Sequence, residues 1–512
     1  MFFIFLMSFY SMTSNLHKTN YYSEELNMLM PLKNHEKSST PKKKELSRNE
    51  LKRRKKKIKT KGKKKKVSLK KMKRLNTDAA GIDVGAKEMY VCVPEDRDSK
   101  NVQIFKTFTA DLYDLADWLE SCSIKTVAME STGVYWIPIY QILEDRGFDV
   151  NLVNARHIKN VPGKKTDVQD CQWIQELHTY GLLSSSFRPD EDICALRSLT
   201  RHREMLNKHR SIHIQHMQKN LELMNLKLCS VLKDITGVTG MKIIRAIVSG
   251  ERDCVKLAQF RDPNCHHTEE EIAKSLEGFY RSEHLFALTQ ALNLYDHYTN
   301  LIKSCDLEIK KNYTAHKSYK GEKTLPTPQK RMRKQKNAPS YDLRTELYKL
   351  CGVDLCRIDG INVLTAQTIL TEIGIDMSKW SSSKHFASWL GLSPVNKISG
   401  GVVLKRGSKK TTNPVTLALR KAATSLSRSK SALGSFYRRI RAKSGALKAN
   451  KATAHKLARI IYNMLKNKTE YNDPGDEKYL KEYRRRNIKN LERKAAFFGL
   501  KLVEVEAEAE AK

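Results

Sequence analysis

The chain has 512 residues and a net charge of +38, 94 Lys and Arg against 56 Asp and Glu. That length holds two to four domains with several apolar cores, so stability needs no staples. Its ten Cys are scattered without a Cys-x-x-Cys pair, which argues against a disulfide framework and fits a reducing cytosol.

Twenty Lys and Arg against two Glu fall between Lys42 and Arg74, a local +18, and the rest of the chain still carries +20. An excess of that size over folded segments suits a polyanion, most economically nucleic acid, whose neutralised phosphates release counterions. The opening MFFIFLMSFY is too short to cross a bilayer and lacks the preceding basic residues of a signal peptide. The expectation is a cytoplasmic, nucleoid-associated protein with no membrane partner.

Residues 1–76 read as a disordered basic extension, because a run such as KRRKKKIKTKGKKKK repels itself and buries no core. A nucleic-acid arm, an import signal, a solvated tail and an extension upstream of a start as late as Met72 all fit it. From residue 77 the texture changes. GIDVG, EMYVCV and VQIFKTF read as three strands joined by short turns. DLYDLADWLESC has helical spacing at Leu112, Leu115, Ala116 and Leu119. IKTVAME reads as a buried strand, VYWIPIYQILEDRG as a helix and FDVNLVN as a strand. Three hairpin-like strands followed by strand–helix alternation predict a mixed sheet with helices on its faces, the order of a ribonuclease H-like (RuvC-like) domain over 77–185.

Four acids stand out in that domain. Asp83 interrupts one apolar run and Glu130 ends another, which places both at the ends of buried strands. Asp167 and Asp170, in KKTDVQDC, are three apart and so share a helix face. Four convergent carboxylates repel one another unless a hard divalent cation neutralises them, and the reading is an Mg²⁺ site, with Mn²⁺ as the substitute.

Residues 186–316 read as a helical spacer with a ragged heptad (Leu199, Leu206, Met217, Leu221, Met224), a coiled-coil stalk or a basic RNA-facing helix. His209, His213 and His216 lie on one helical face there. They suit a metal less well than a solvated face, because no Cys or carboxylate completes the set. The same holds for Cys265, His266 and His267. Residues 317–346 read as a basic linker, 347–470 as a second, mainly helical folded unit, and 471–512 as a charged tail.

In the second unit CRIDGINVLTAQTILTEIG reads as a turn at Asp359 and Gly360 and then an amphipathic helix. The turn is either a phosphate-facing half of a helix-hairpin-helix or an ordinary helix entry. Ser399 precedes Gly400 and Gly401 in a basic loop, with Lys405, Arg406, Lys409 and Lys410 behind it and Asn413 and Arg420 beyond. A serine is a poor nucleophile until activated. Taken alone, Ser-Gly-Gly is as well explained by a plain turn.

GIDVG, AMESTGVYW, KTDVQD, the DGIN helix and GLSPVNKISGG together resemble the DEDD transposases of the insertion sequence 110 family, over about residues 77–225 and 347–465. The resemblance implies a RuvC-like catalytic domain, a coiled-coil middle and a C-terminal domain with a serine nucleophile. It also implies strand exchange on donor and target DNA guided by a bridge RNA, in a homodimer or homotetramer. By that resemblance Asp83, Glu130, Asp167 and Asp170 are the metal ligands and Ser399 the nucleophile, working through a covalent phosphoserine. Gly360, Lys405, Arg406, Lys409, Asn413 and Arg420 are candidate nucleic-acid contacts. Two departures stand out: Gly360 is followed by Ile361 and Asn362 where the family has Gly-x-Gly, and Thr412 precedes Asn413 where it has Gly-Asn. The alternatives are a junction nuclease in which water attacks, and a noncatalytic nucleic-acid-binding remnant.

Overall fold

The structure, a computed structural model, describes residues 72–154, 166–315, 324–328, 335–408, 411 and 413–503, with the side chains of Lys397, Lys405, Arg406 and Ser408 excepted. The expectation for residues 1–76 falls almost wholly outside them. Two compact units divide the chain, the first reaching to Val150 and including Val161–Leu183, the second holding the remainder.

The first unit is built on a five-stranded sheet in the order β3-β2-β1-β4-β5, from β1 (Ala79–Val84), β2 (Glu88–Cys92), β3 (Val102–Lys106), β4 (Thr126–Glu130) and β5 (Asp149–Val153). β1 to β3 pair antiparallel and β1 pairs with β4 in parallel, so the sheet is mixed as expected. Between the strands run α1 (Thr109–Ser121) and α2 (Trp136–Asp145), and α3 (Asp167–Thr179) follows β5. Leu112, Leu115, Ala116 and Leu119 are the buried residues of α1, the set its periodicity predicts. Ile82, Met129, Ile139, Leu143 and Ile174 fill the core. The mixed sheet with flanking helices is compatible with a ribonuclease H-like fold.

The second unit is mainly helical. Two long helices, α4 (Glu191–Leu223) and α9 (Ser282–Ala315), pack along one another, with the short α5 (Leu228–Val231), α6 (Val238–Val248), α7 (Cys254–Ala258) and α8 (Glu269–Ser275) between them in the chain. Met217, Leu221, Ile243, Ile247, Ile272 and Leu288 form one core at this end. At the other end, Leu196 and Leu206 of α4 and Ile302 and Ile309 of α9 enter a larger core shared with residues 343–465.

That larger core is completed by α10 (Leu343–Cys351), α11 (Val363–Ile373), α12 (Ser383–Trp389), α13 (Pro414–Ser425), α14 (Ala432–Ser444) and α15 (Ala446–Asn467), centred on the fully buried Phe386. Polar ties reinforce it: Arg201 donates from two nitrogens to Glu372 at 2.7 and 2.8 Å, and buried Arg203 pairs with buried Asp306. A two-stranded ribbon, β6 (Pro394–Ser399) and β7 (Val402–Ser408), and a last helix, α16 (Asp476–Phe497), complete the unit. Among the described residues no helix is long and apolar enough to cross a membrane.

Candidate active site

β1 and β4 run in register from Ala79 opposite Thr126 to Ile82 opposite Met129. One step further sets Asp83 beside Glu130, and residues in register on adjacent strands share a face of the sheet. Both carboxylates are half-buried, each next to a fully buried apolar neighbour, Ile82 or Met129. Glu130 is held in place by Thr132, whose hydroxyl donates to its Oε1 at 3.0 Å.

The other two acids arrive on α3, which runs antiparallel to β1. Leu75 and Asn76 bond the Thr179 carbonyl, Gln175 donates to the Ala79 carbonyl, and Gly81 lies against Cys171, so each step along the strand is a step back along the helix. Continued to Asp83, the series reaches the first turn of α3, which begins at Asp167 and contains Asp170. Gly81 makes the approach possible, since a Cβ there would stand 2.3 Å from the Gln175 nitrogen and 2.6 Å from the Cys171 carbonyl oxygen. Thr166 caps the helix by accepting from the Gln169 N–H, and the helix dipole favours carboxylates in this turn.

Tyr90, opposite Asp83 on β2, reports the result. Its phenol is pushed up from the usual value by desolvation, then by Glu88, and further by the negative charges of Asp167 and Asp83. Three chain segments thus place the four acids toward one end of the sheet, short of the convergent cluster that the sequence predicts. Among the described residues no three His, Cys, Asp or Glu side chains stand close enough together to hold a metal ion. The donor set itself, all carboxylate oxygen, fits Mg²⁺ or Mn²⁺ rather than a softer ion.

Ser399 lies in the second unit and not in a loop. It ends β6 and pairs with Val402 of β7 across a two-residue connection, Gly400 and Gly401. Their φ values of +56° and +75° are the signature of a type I′ turn, whose twist suits a tight hairpin. The basic composition suggested a loop, whereas the Gly-Gly pair between β-branched residues was the hairpin signal. Ser399 is exposed, and the ribbon carries a bulge at Leu404. Lys405 and Arg406 lie on β7, opposite Lys397 and Asn396, while Lys409 lies outside the described residues.

The remaining candidates have structural duties as well. Gly360 has φ +87°, and a Cβ there would stand 2.8 Å from the Ala422 carbonyl oxygen of α13, so the turn needs glycine for packing. Asn413 caps α13, its Oδ1 accepting from Val415 and Thr416 N–H groups. Arg420 donates to Asn450 of α15. Beside it stand Lys451, pushed below the usual lysine value by burial and by Arg420, and His455, pushed down by burial, Arg459 and Lys451. The sequence reading does not name Lys451 beside Arg420, nor His455 and Arg459 after it, although their i, i+4, i+8 spacing marks one helix face. His209 and His213 stack on Tyr298 of α9 with ring centroids 5.5 and 5.3 Å apart, and His267 bonds Glu271.

Two family models match the chain. A DEDD transposase model of the insertion sequence 110 type, described as a transposase, covers residues 80–226 and with them all four acids. A second, described as "Transposase IS116/IS110/IS902 family", covers residues 354–438, including Gly360, Ser399, Asn413 and Arg420. No curated protein matches. With two models of one family matched in order along separate parts of its length, the chain belongs to the insertion sequence 110 family of transposases.

Proposed function

We propose that this transposase cuts and rejoins DNA through a covalent phosphoserine at Ser399, assisted by the four carboxylates, with the DNA sites chosen by base pairing to a guide RNA. The observation that carries the reading is the gathering of Asp83, Glu130 and the first turn of α3 at one end of the sheet. Asp83, Glu130, Asp167 and Asp170 are the residues that would hold Mg²⁺ or Mn²⁺, which when bound polarises a phosphodiester and lowers the pKa of a nearby hydroxyl.

The chain's own part is nucleophilic. The Ser399 oxygen bonds to phosphorus and its proton passes to solvent, while the bond from phosphorus to the leaving deoxyribose oxygen breaks and that oxygen takes up a proton. Attack by the hydroxyl of an incoming strand reverses the step and frees the serine, so strands reseal without ATP. The position of Ser399 on an exposed ribbon supports this reading, because a duplex phosphate reaches it without unfolding the protein. The basic side chains of Arg420, Lys451 and Arg459 offer charge for the DNA backbone. A homodimer or homotetramer is the assembly proposed to bring serine and carboxylates to one phosphate.

Trapping tests the reading: protein, guide RNA and DNA are incubated with Mg²⁺ and denatured. The expected product is a protein–DNA adduct that Ser399→Ala abolishes. Persistence of the adduct in Ser399→Ala sinks the nucleophile assignment, and cleavage by the wild-type chain with no adduct identifies a hydrolytic nuclease instead.

A further inference from the structure

Residues 471–512, beyond the second family match that ends at residue 438, read in the sequence as a charged tail. They contain α16, 22 residues long and so about 33 Å at 1.5 Å per residue. Only its first two turns are seated. Asp476 accepts from Arg438 and Ser435 of α14, and Tyr479 is buried, its hydroxyl accepting from Arg439 at 3.0 Å. Arg439 also lies 4.5 Å over the Tyr483 ring, and Lys456 of α15 lies 5.4 Å over Tyr479 and 4.8 Å over Phe436. From Arg484 to Phe497 no residue is buried.

This helix has eight Lys and Arg against four Asp and Glu. Lys481, Arg485, Lys489 and Arg493 stand at i, i+4, i+8 and i+12, a line of like charges down one face, each adjacent pair destabilising a free helix. Against that line stands the Glu482–Arg486 ion pair at i, i+4, long at 3.5 Å. At the base Lys456 has aromatic faces and no carboxylate within ion-pair distance among the described residues, and burial followed by Arg486 and Arg439 pushes its ammonium below the usual lysine value. A basic face that is uncovered and self-repelling suits a partner of opposite charge.

We propose that α16, with Arg439 and Lys456 at its base, is a DNA-binding element that lays its basic face in the major groove of a duplex, separate from the Ser399 and carboxylate chemistry. Duplex DNA is the partner the shape favours. Basic side chains flank the Lys481–Arg493 line on both sides, Lys478 and Arg486 on one and Arg484 on the other, with Glu482 and Glu492 among them, so the helix can reach both phosphate walls of a groove about 12 Å wide. The deep, narrow major groove of A-form RNA excludes a helix. Leu480 and Leu491, both exposed, mark a second face that a copy of this chain would cover, which the test distinguishes.

The full chain is titrated with a 30-base-pair duplex DNA and a matching RNA duplex over a range of salt, as wild type and with Lys481, Arg485, Lys489 and Arg493 all changed to alanine. Alanine is the strongest helix former, so the helix survives, and a circular dichroism spectrum checks this. The expected result is at least a tenfold loss of DNA affinity near 0.15 M salt. The slope of log K against log salt becomes less steep by about 3 to 4, at about 0.9 for each phosphate that is no longer neutralised. A charge-preserving variant (K481R, R485K, K489R, R493K) keeps wild-type affinity and slope. The proposal is overturned by DNA affinity within twofold of wild type with an unchanged slope, by a loss confined to the RNA duplex, or by a changed oligomeric state in light scattering with DNA binding intact.

Discussion

The carboxylate end of the sheet and the Ser399 ribbon are opposite ways of presenting a reactive group. Asp83 and Glu130 each follow a residue with no exposure, on strands covered by a helix so close that position 81 admits only glycine. Ser399 sits on two strands whose apolar residues Val395, Ile398, Val402 and Leu404 are half to two-thirds exposed, and whose shape rests on one ladder and a Gly-Gly turn. A lone two-stranded hairpin is marginal in water. Packing fixes the strands that carry Asp83 and Glu130, whereas the described side chains of the Ser399 ribbon are exposed along its length.

Substitutions at the two regions should therefore fail differently. The largest effect is expected for Asp83→Asn, which keeps the packing and removes a charge. Strand exchange should fall by roughly 10²–10³-fold with nucleic-acid binding retained, the range seen when one electrostatic stabiliser is lost. Unchanged exchange would remove Asp83 from the chemistry. Next comes Gly81→Ala, whose methyl has no space against α3. Overpacking of this kind costs about 3 kcal/mol, and urea unfolding followed by circular dichroism should show the first unit melting early. A midpoint equal to wild type would mean that α3 is not seated on β1.

The matching change in the ribbon, Gly400→Ala with Gly401→Ala, forces alanine to positive φ at about 1–2 kcal/mol per residue. Adduct formation should drop while the global unfolding midpoint stays at the wild-type value, because no core depends on the turn. A midpoint shift as large as that of Gly81→Ala would erase the contrast between the regions. The smallest effect concerns pH. Burial pushes His178 below its ordinary value of 6.5, with Asp149 opposing, and its Nε2 lies 2.9 Å from the Thr126 hydroxyl. The folded state then binds the proton less readily than the unfolded one, so stability is full above about pH 6.5 and falls as the pH drops below it. Melting temperatures between about pH 7 and 5 should decline less steeply in His178→Gln, and an equal slope would show that another group carries the dependence.

Much of the first unit was legible because its signals are local. The α1 periodicity named its buried residues, and short apolar runs ending in Asp83 and Glu130 marked strand ends. The second unit hid more. The lysines near Ser399 suggest a loop and mask the Gly-Gly turn signal. A charged tail was expected where α16 forms, since its polar sequence gives no apolar period and its seat depends on Tyr479 meeting Arg439 and Lys456 from two other helices. The spacer's sequence suits a coiled-coil stalk or a basic RNA-facing helix, and its heptad gives no sign that Leu196 and Ile309 enter the core of residues 343–465.

By itself the sequence determined the family and the mixed sheet and marked four acids as candidates, because strand pattern and residue type are written within a few positions of one another. The tertiary structure alone decided that Asp83 stands level with Glu130, that α3 returns its first turn to the same end of β1, and that Ser399 tops a ribbon. Those relations join residues tens of positions apart. Ladder register and the space beside Gly81 set them, and neither is a property of any single segment.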